Sequence, residues 1–143
     1  MRTQWKILIA VGLGIFVAYL CTICQASTRP TSQMLTNEFT FYNNKYFGAM
    51  PEVVTIQYGN LTEDDSMGKT YKMDNGSYLI VIDQKTNPIL KTADGTLIHE
   101  MCHIKLNSIR DLTFTSKELE DHGPSFQACM LDKASQGAFK DIW

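Results

Sequence analysis

At 143 residues and 44% hydrophobic content, the chain is long enough for one compact domain with its own core and too short for two of ordinary size. Its 13 Lys and Arg against 15 Asp and Glu give a net charge of −2, with no basic run or Lys/Arg stripe. That balance argues against nucleic acid as a direct partner, because a protein that tracks phosphates needs a basic face.

The chain opens with MRTQWK, which carries Arg2 and Lys6, and continues in an uncharged run of 18 residues from Ile7 to Cys24. Positive charge ahead of such a run is a membrane-targeting pattern that keeps the N-terminus cytoplasmic and sends the remainder across. The run is longer than a secretory core yet barely spans a bilayer, so cleaved signal and retained anchor stand as equal alternatives. Cys24 and Ala26 occupy the small-residue positions for cleavage before Ser27. Residues 1–26 are read as signal peptide or hydrophobic anchor helix, with membrane attachment through residues 7–24 if it is kept. The rest is expected outside the cytoplasm, secreted, periplasmic or anchored. Losing Arg2 and Lys6 leaves 11 Lys and Arg against the same 15 acids, which makes the mature part more acidic still.

Residues 27–34, with Arg29-Pro30, read as a linker, and 35–143 as the domain proper. Leu35, Phe39, Tyr42 and Tyr46 recur at spacings of three and four, which predicts an amphipathic helix ending near Gly48 and Pro51 with its aromatics in the core. EVVTIQY is a β-rich run. The following GNLTEDDSMG is a loop, whose Glu63, Asp64 and Asp65 read as a solvated turn. KTYKMDNGSYLIVIDQ predicts a hairpin with Asn75-Gly76 as its two-residue turn.

In TNPILKTADGTLIHEMCHIKLNSI, Thr92 or Asp94 can cap a helix whose apolar members Leu97, Ile98, Met101, Cys102, Ile104 and Leu106 go most of the way round. Such a helix is buried, yet it carries His99, Glu100 and His103. Two histidines four apart project from one face and can converge on one atom. Unpaired ionisable groups are costly to bury, whereas a divalent cation turns neutral imidazoles into ligands and offsets a nearby carboxylate. The pattern is the H-E-x-x-H zinc signature, in which the carboxylate takes a proton from water instead of binding the metal. The longer form of that signature would need Gly and His where Leu106 and Ile109 stand.

The remaining histidine, His122, lies in ELEDHGPSFQACM, just ahead of Pro124 at the start of a helix carrying Phe126, Cys129, Met130 and Lys133. It is the candidate third ligand, with Glu118, Glu120 and Asp121 as carboxylate substitutes. Outside the targeting segment the cysteines are Cys102 and Cys129. Two small buried thiols is the simpler reading and a disulfide the alternative.

TLIHEMCH, then a loop, then DHGPSFQACM, resembles the SprT-like metalloprotease domain, and LTNEFTFYNNKYFGAMP is similar to that family's opening helix. The resemblance spans about Leu35 to Ala134. It implies zinc on His99, His103 and His122, Glu100 as general base, and hydrolysis of a peptide bond in a protein or peptide substrate. It also implies a minimal zincin-like α+β fold: an N-terminal helix, a small mostly antiparallel sheet, the metal helix packed beneath it, and a final helix. Pattern alone supports mixed α and β. The family's DNA-associated roles are not carried over, because this chain is acidic and shows no basic or zinc-ribbon part. No oxyanion-stabilising residue is assigned, Tyr71 and Tyr78 being the nearest candidates. The same three histidines would also serve a zinc-stabilised binding module without turnover, against which Glu100 argues.

Overall fold

The computed structural model describes residues 29–48, 50, 54–61, 66–109, 122–140 and 142, without the side chains of 107–109. The targeting segment with its expected hydrophobic helix, the acidic residues Glu63, Asp64 and Asp65, and Glu118, Glu120 and Asp121 all lie outside the described residues. Among those described, no helix is long and apolar enough to cross a membrane. The fold class is α+β, with three α-helices and one three-stranded sheet.

Helix α1 (Ser32–Tyr42) starts at Thr31, whose hydroxyl accepts from the Met34 N–H at 3.2 Å and so satisfies one of the free donors of a helix start. Leu35, Phe39 and Tyr42 are buried, as their spacing predicts. The helix then widens into a π-helical turn over Asn43–Phe47, closed by Gly48 N–H donating to Asn43 O at 2.9 Å. The wider turn puts Phe47 into the core, with Tyr46 half-buried beside it. Gly48, at φ +59°, ends the element in a conformation that strains other residues.

The strands are β1 (Val54–Gly59), β2 (Gly68–Lys72) and β3 (Tyr78–Asp83), in the spatial order β1-β3-β2. β3 pairs antiparallel with β2 and parallel with β1, so the sheet is mixed and not mostly antiparallel as expected. The reason lies in β3, which buries Tyr78, Ile80, Ile82 and Asp83 and takes the centre, while the more polar β1 and β2 fall to the edges. A short hairpin fixes β2 antiparallel on one side of β3, which leaves β1 the other side. That hairpin also differs from the two-residue Asn75-Gly76 turn. Met73 N–H donates to Ser77 O and Gly76 N–H to Met73 O, both at 2.9 Å, enclosing a three-residue loop whose last member, Gly76, sits at φ +81°.

Helix α2 (Leu90–Ile109) begins two residues after Pro88, so Thr92 and Asp94 lie inside its first turns and neither caps it. Thr92 instead donates back to Ile89 O, and Asp94 turns towards α1 and accepts from the Tyr42 hydroxyl. Burial, helped by the nearby Glu38 charge, pushes the Asp94 carboxyl up to about 7. Ala93, Leu97, Ile98, Met101, Cys102 and Ile104 of α2 are fully buried.

Helix α3 (Pro124–Ser135), with Pro124 in its first turn, lies against α2 and is joined to it by a Cys102–Cys129 disulfide with a Cα separation of 6.0 Å. The reading of these cysteines as two free thiols is therefore corrected: facing helices bring them within the range of one bridge. Two lysines complete the arrangement. Lys105 of α2 donates to Phe47 O at 3.2 Å, and Lys133 of α3, almost wholly buried, donates to Tyr46 O at 2.7 Å and to the Asp132 carboxylate at 2.6 Å. Both hold the last carbonyls of the N-terminal helix, and the Lys133 ammonium also lies 5.0 Å from the Phe47 ring centre.

The bridge closes a loop with a sequence separation of 27, which includes His122. In a chelator, the Cys102→Ala/Cys129→Ala chain should be less stable than wild type by about 3 kcal/mol on chain-entropy grounds. Urea unfolding followed by circular dichroism measures this, and adding reductant should shift wild type but leave the double variant unmoved.

Candidate metal centre

α2 supplies His99, Glu100 and His103 from one stretch of buried helix, and His122 reaches them from the residue before Gly123, the N-cap of α3. The structure thus brings all four proposed site residues together. The ligating nitrogens of the three histidines lie within 4.8 Å of one another, a group that could hold one metal ion. Nε2 of His122 and Nε2 of His99 are 2.9 Å apart, a distance at which one ring donates and the other accepts. Two nitrogens sharing a tetrahedral zinc at ordinary bond lengths would stand about 3.3 Å apart, so this pair would open slightly and the rest of the set, spread over up to 4.8 Å, would draw in to hold one ion.

The electrostatics suit the same purpose. Burial pushes His99 down to about 4, aided by His122, and pushes His103 down to about 4, aided by His99 and His122. Both rings are then neutral at physiological pH, the form in which imidazole binds a metal. Phe126, the third residue of α3, fills the space behind them. Its ring centre lies 4.6 Å from His99, 4.4 Å from His103 in a stacked geometry, and 4.7 Å from His122. One apolar plate therefore braces all three imidazoles.

Glu100 is 4% exposed, and its carboxylate is approached by strand β2. Thr70 donates to Glu100 Oε2 at 2.7 Å. Two residues earlier, a Cβ at Gly68 would fall 2.7 Å from Thr96 Cγ2 and 3.0 Å from Glu100 Oε1, so the strand can pass this close only with glycine there. Asn87 anchors the same region: its amide donates to Met67 O and Asp83 O, while its Oδ1 accepts from Thr96 at 2.7 Å. Asp83 in turn accepts from the Leu61, Lys85 and Thr86 N–H groups and the Thr86 hydroxyl, and these bonds, that of Leu61 foremost, hold its carboxyl below the usual range. Burial pushes Glu100 up to about 7, with the Thr70 hydrogen bond opposing.

These groups open onto a cleft of about 850 Å³ between β2 and the C-terminal residues, with α2 along it. Tyr71 lines it, whereas Tyr78 is buried in the core. Gly68, Thr70 and Phe126 had not been assigned to the site from sequence. Phe126 carried a signal in its place four residues after His122. Gly68 and Thr70 carried none, since their role depends on where an edge strand crosses a helix. The chain matches no protein-family model and no curated protein.

In the folded, metal-free chain Glu100 keeps its proton up to about 7, whereas in the unfolded chain it ionises near 4.5. The folded state thus holds this advantage fully below 4.5 and loses it as pH rises through 7. Glu100→Gln removes the burden of a buried charge, so in chelator the variant should match wild type near pH 4.5. By pH 8 it should be the more stable, by on the order of 3 kcal/mol. Denaturant titrations at the two pH values give the comparison; a gap that does not grow with pH would refute the buried, proton-holding Glu100.

Proposed function

We propose that the chain is a zinc-dependent endopeptidase of SprT-like type with a minimal zincin-like fold, acting outside the cytoplasm on protein or peptide substrates. The observation that carries this reading is the convergence of three imidazoles and one buried carboxylate on a single open cleft. Three nitrogen donors with a carboxylate alongside are a set that suits zinc, with His99, His103 and His122 as its holders. Bound there, zinc would supply a Lewis acid that polarises the scissile carbonyl and makes water a better nucleophile.

The chain's own residues account for the rest. Glu100, at about 7, is matched to neutral pH as a general base: it takes a proton from the attacking water as oxygen bonds to the carbonyl carbon. As the C–N bond breaks, the same carboxyl returns the proton to the leaving amine. The Thr70 hydroxyl fixes the orientation of the carboxylate through this exchange. β2 pairs on one side only among the described strands and lines the cleft, which suits an extended peptide adding alongside it. The disulfide agrees with an oxidising compartment, as the N-terminal pattern leads one to expect. Substrate capture needs no nucleic acid in this reading.

The test uses the full chain in detergent, loaded with zinc. Wild type should hold close to one zinc per chain, and His122→Ala should bind it far more weakly because two imidazoles leave the site incomplete. Glu100→Gln should retain its zinc and lose peptide hydrolysis by roughly 10²–10⁴-fold. Equal hydrolysis by wild type and Glu100→Gln would replace the enzyme with the zinc-stabilised binding module.

A further inference from the structure

Gly95 stands inside α2, one turn ahead of His99, and lines the same cleft. Among the described residues nothing asks for a glycine there: its φ is not in the left-handed region, and the one described atom a Cβ would meet is Ile142 Cγ2, at an ordinary contact distance of 3.5 Å. A glycine within a helix is destabilising relative to alanine, so the position carries a penalty that packing does not explain. Gly68 is the contrast, since there a Cβ collides with Thr96 and Glu100.

The volume that a side chain at 95 would take belongs to the cleft. Met130, Phe139 and Ile142 contribute apolar lining to that cleft, with Ile142 beside the position itself. The nearby hydroxyls are already engaged: Thr92 donates to Ile89 O at 2.9 Å and Thr96 to Asn87 Oδ1 at 2.7 Å. A polar guest beside Gly95 would find neither of these two hydroxyls free. Apart from Glu100, the charged residues lining the cleft among those described are Lys69 and Lys91, which oppose a basic side chain. Four residues of helix place Gly95 about 6 Å along the axis from His99. An extended peptide advances about 3.3 Å per residue, so this space falls one or two residues from a carbonyl held at the three imidazoles.

We propose that Gly95 is a specificity-determining residue that keeps open a recess beside His99 for a large apolar side chain of the substrate, one or two residues from the bond cleaved. The inference rests on the peptidase reading and adds to it the class of residue selected. Gly95 is absent from the chemistry itself. Its contribution is to leave room.

The experiment compares zinc-loaded full chain in detergent as wild type, Gly95→Ala and Gly95→Val, on peptides with Phe or Ala at each of the two positions on either side of the scissile bond. Wild type should favour Phe over Ala at one of these positions by roughly tenfold or more in kcat/KM. Gly95→Val should reduce that ratio to about threefold or less, losing more on the Phe peptide than on the Ala peptide, and Gly95→Ala should fall between. Gly95→Ala should also raise the Tm of the chain in chelator, which a glycine required by the fold would not do. An unchanged ratio in Gly95→Val, or a lowered Tm in Gly95→Ala, overturns the proposal. If wild type cleaves none of the peptides, the peptidase reading fails separately, and fluorescence anisotropy with the same peptides decides the recess. Tighter binding of the Phe peptide to wild type than to Gly95→Val upholds it, and equal binding rejects it.

Discussion

The constraint on which this domain turns is that α2 has almost no solvent face. Leu97, Ile98, Met101, Cys102 and Ile104 are buried, and the cleft is where the helix presents His99, Glu100 and His103. An ionised group on a helix so enclosed would be costly. The molecule meets that cost by keeping the groups uncharged in the absence of metal: burial pushes both α2 histidines down to about 4 and Glu100 up to about 7. Neutral imidazoles are the form that can bind a metal ion, and a carboxyl near 7 can both take up and give back a proton at neutral pH.

The third histidine poses a different problem, because it comes from beyond α2 and must be held without a helix of its own. Three contacts on α3 solve it together. The disulfide from Cys102 to Cys129 pins α3 to α2, Phe126 lays its ring against all three imidazoles, and Lys133 ties the far end to the carbonyl of Tyr46. Phe126 and Cys129 are one turn apart and so share the face towards α2. Lys105 reaches Phe47 from α2 itself, so the end of the first helix acts as a common anchor for both later ones.

Much of this was legible in the residues, and the parts that were not share a cause. The apolar spacing of α1, the burial of α2 and the start of α3 at Pro124 follow from local pattern, and His99, Glu100, His103 and His122 follow from chemistry that a buried helix would otherwise exclude. The parallel pairing of β1 with β3 was not legible, since strand order depends on which strand is apolar enough for the centre and how the chain crosses to reach it. The start of α2 at Leu90 escaped for a similar reason: Thr92 and Asp94 look like caps in sequence but are engaged by Ile89 and Tyr42. The cysteine pair could be decided only by the approach of two helices.

Gly68 and Gly95 show how far a single residue type is from a single meaning. Both line the cleft, and both would be read from sequence as loop or breaker signals. At 68 the strand must pass so near α2 that a methyl group would strike Thr96 and Glu100, so glycine is what lets Thr70 reach the carboxylate at all. At 95 the nearest atom to a methyl group is Ile142 Cγ2 at 3.5 Å, and the helix would be the better for one. The first glycine brings protein to protein, and the second holds protein away. A helix kept weaker than its described packing permits, on the wall of a cleft that ends at three imidazoles, is what the proposed substrate recess would require.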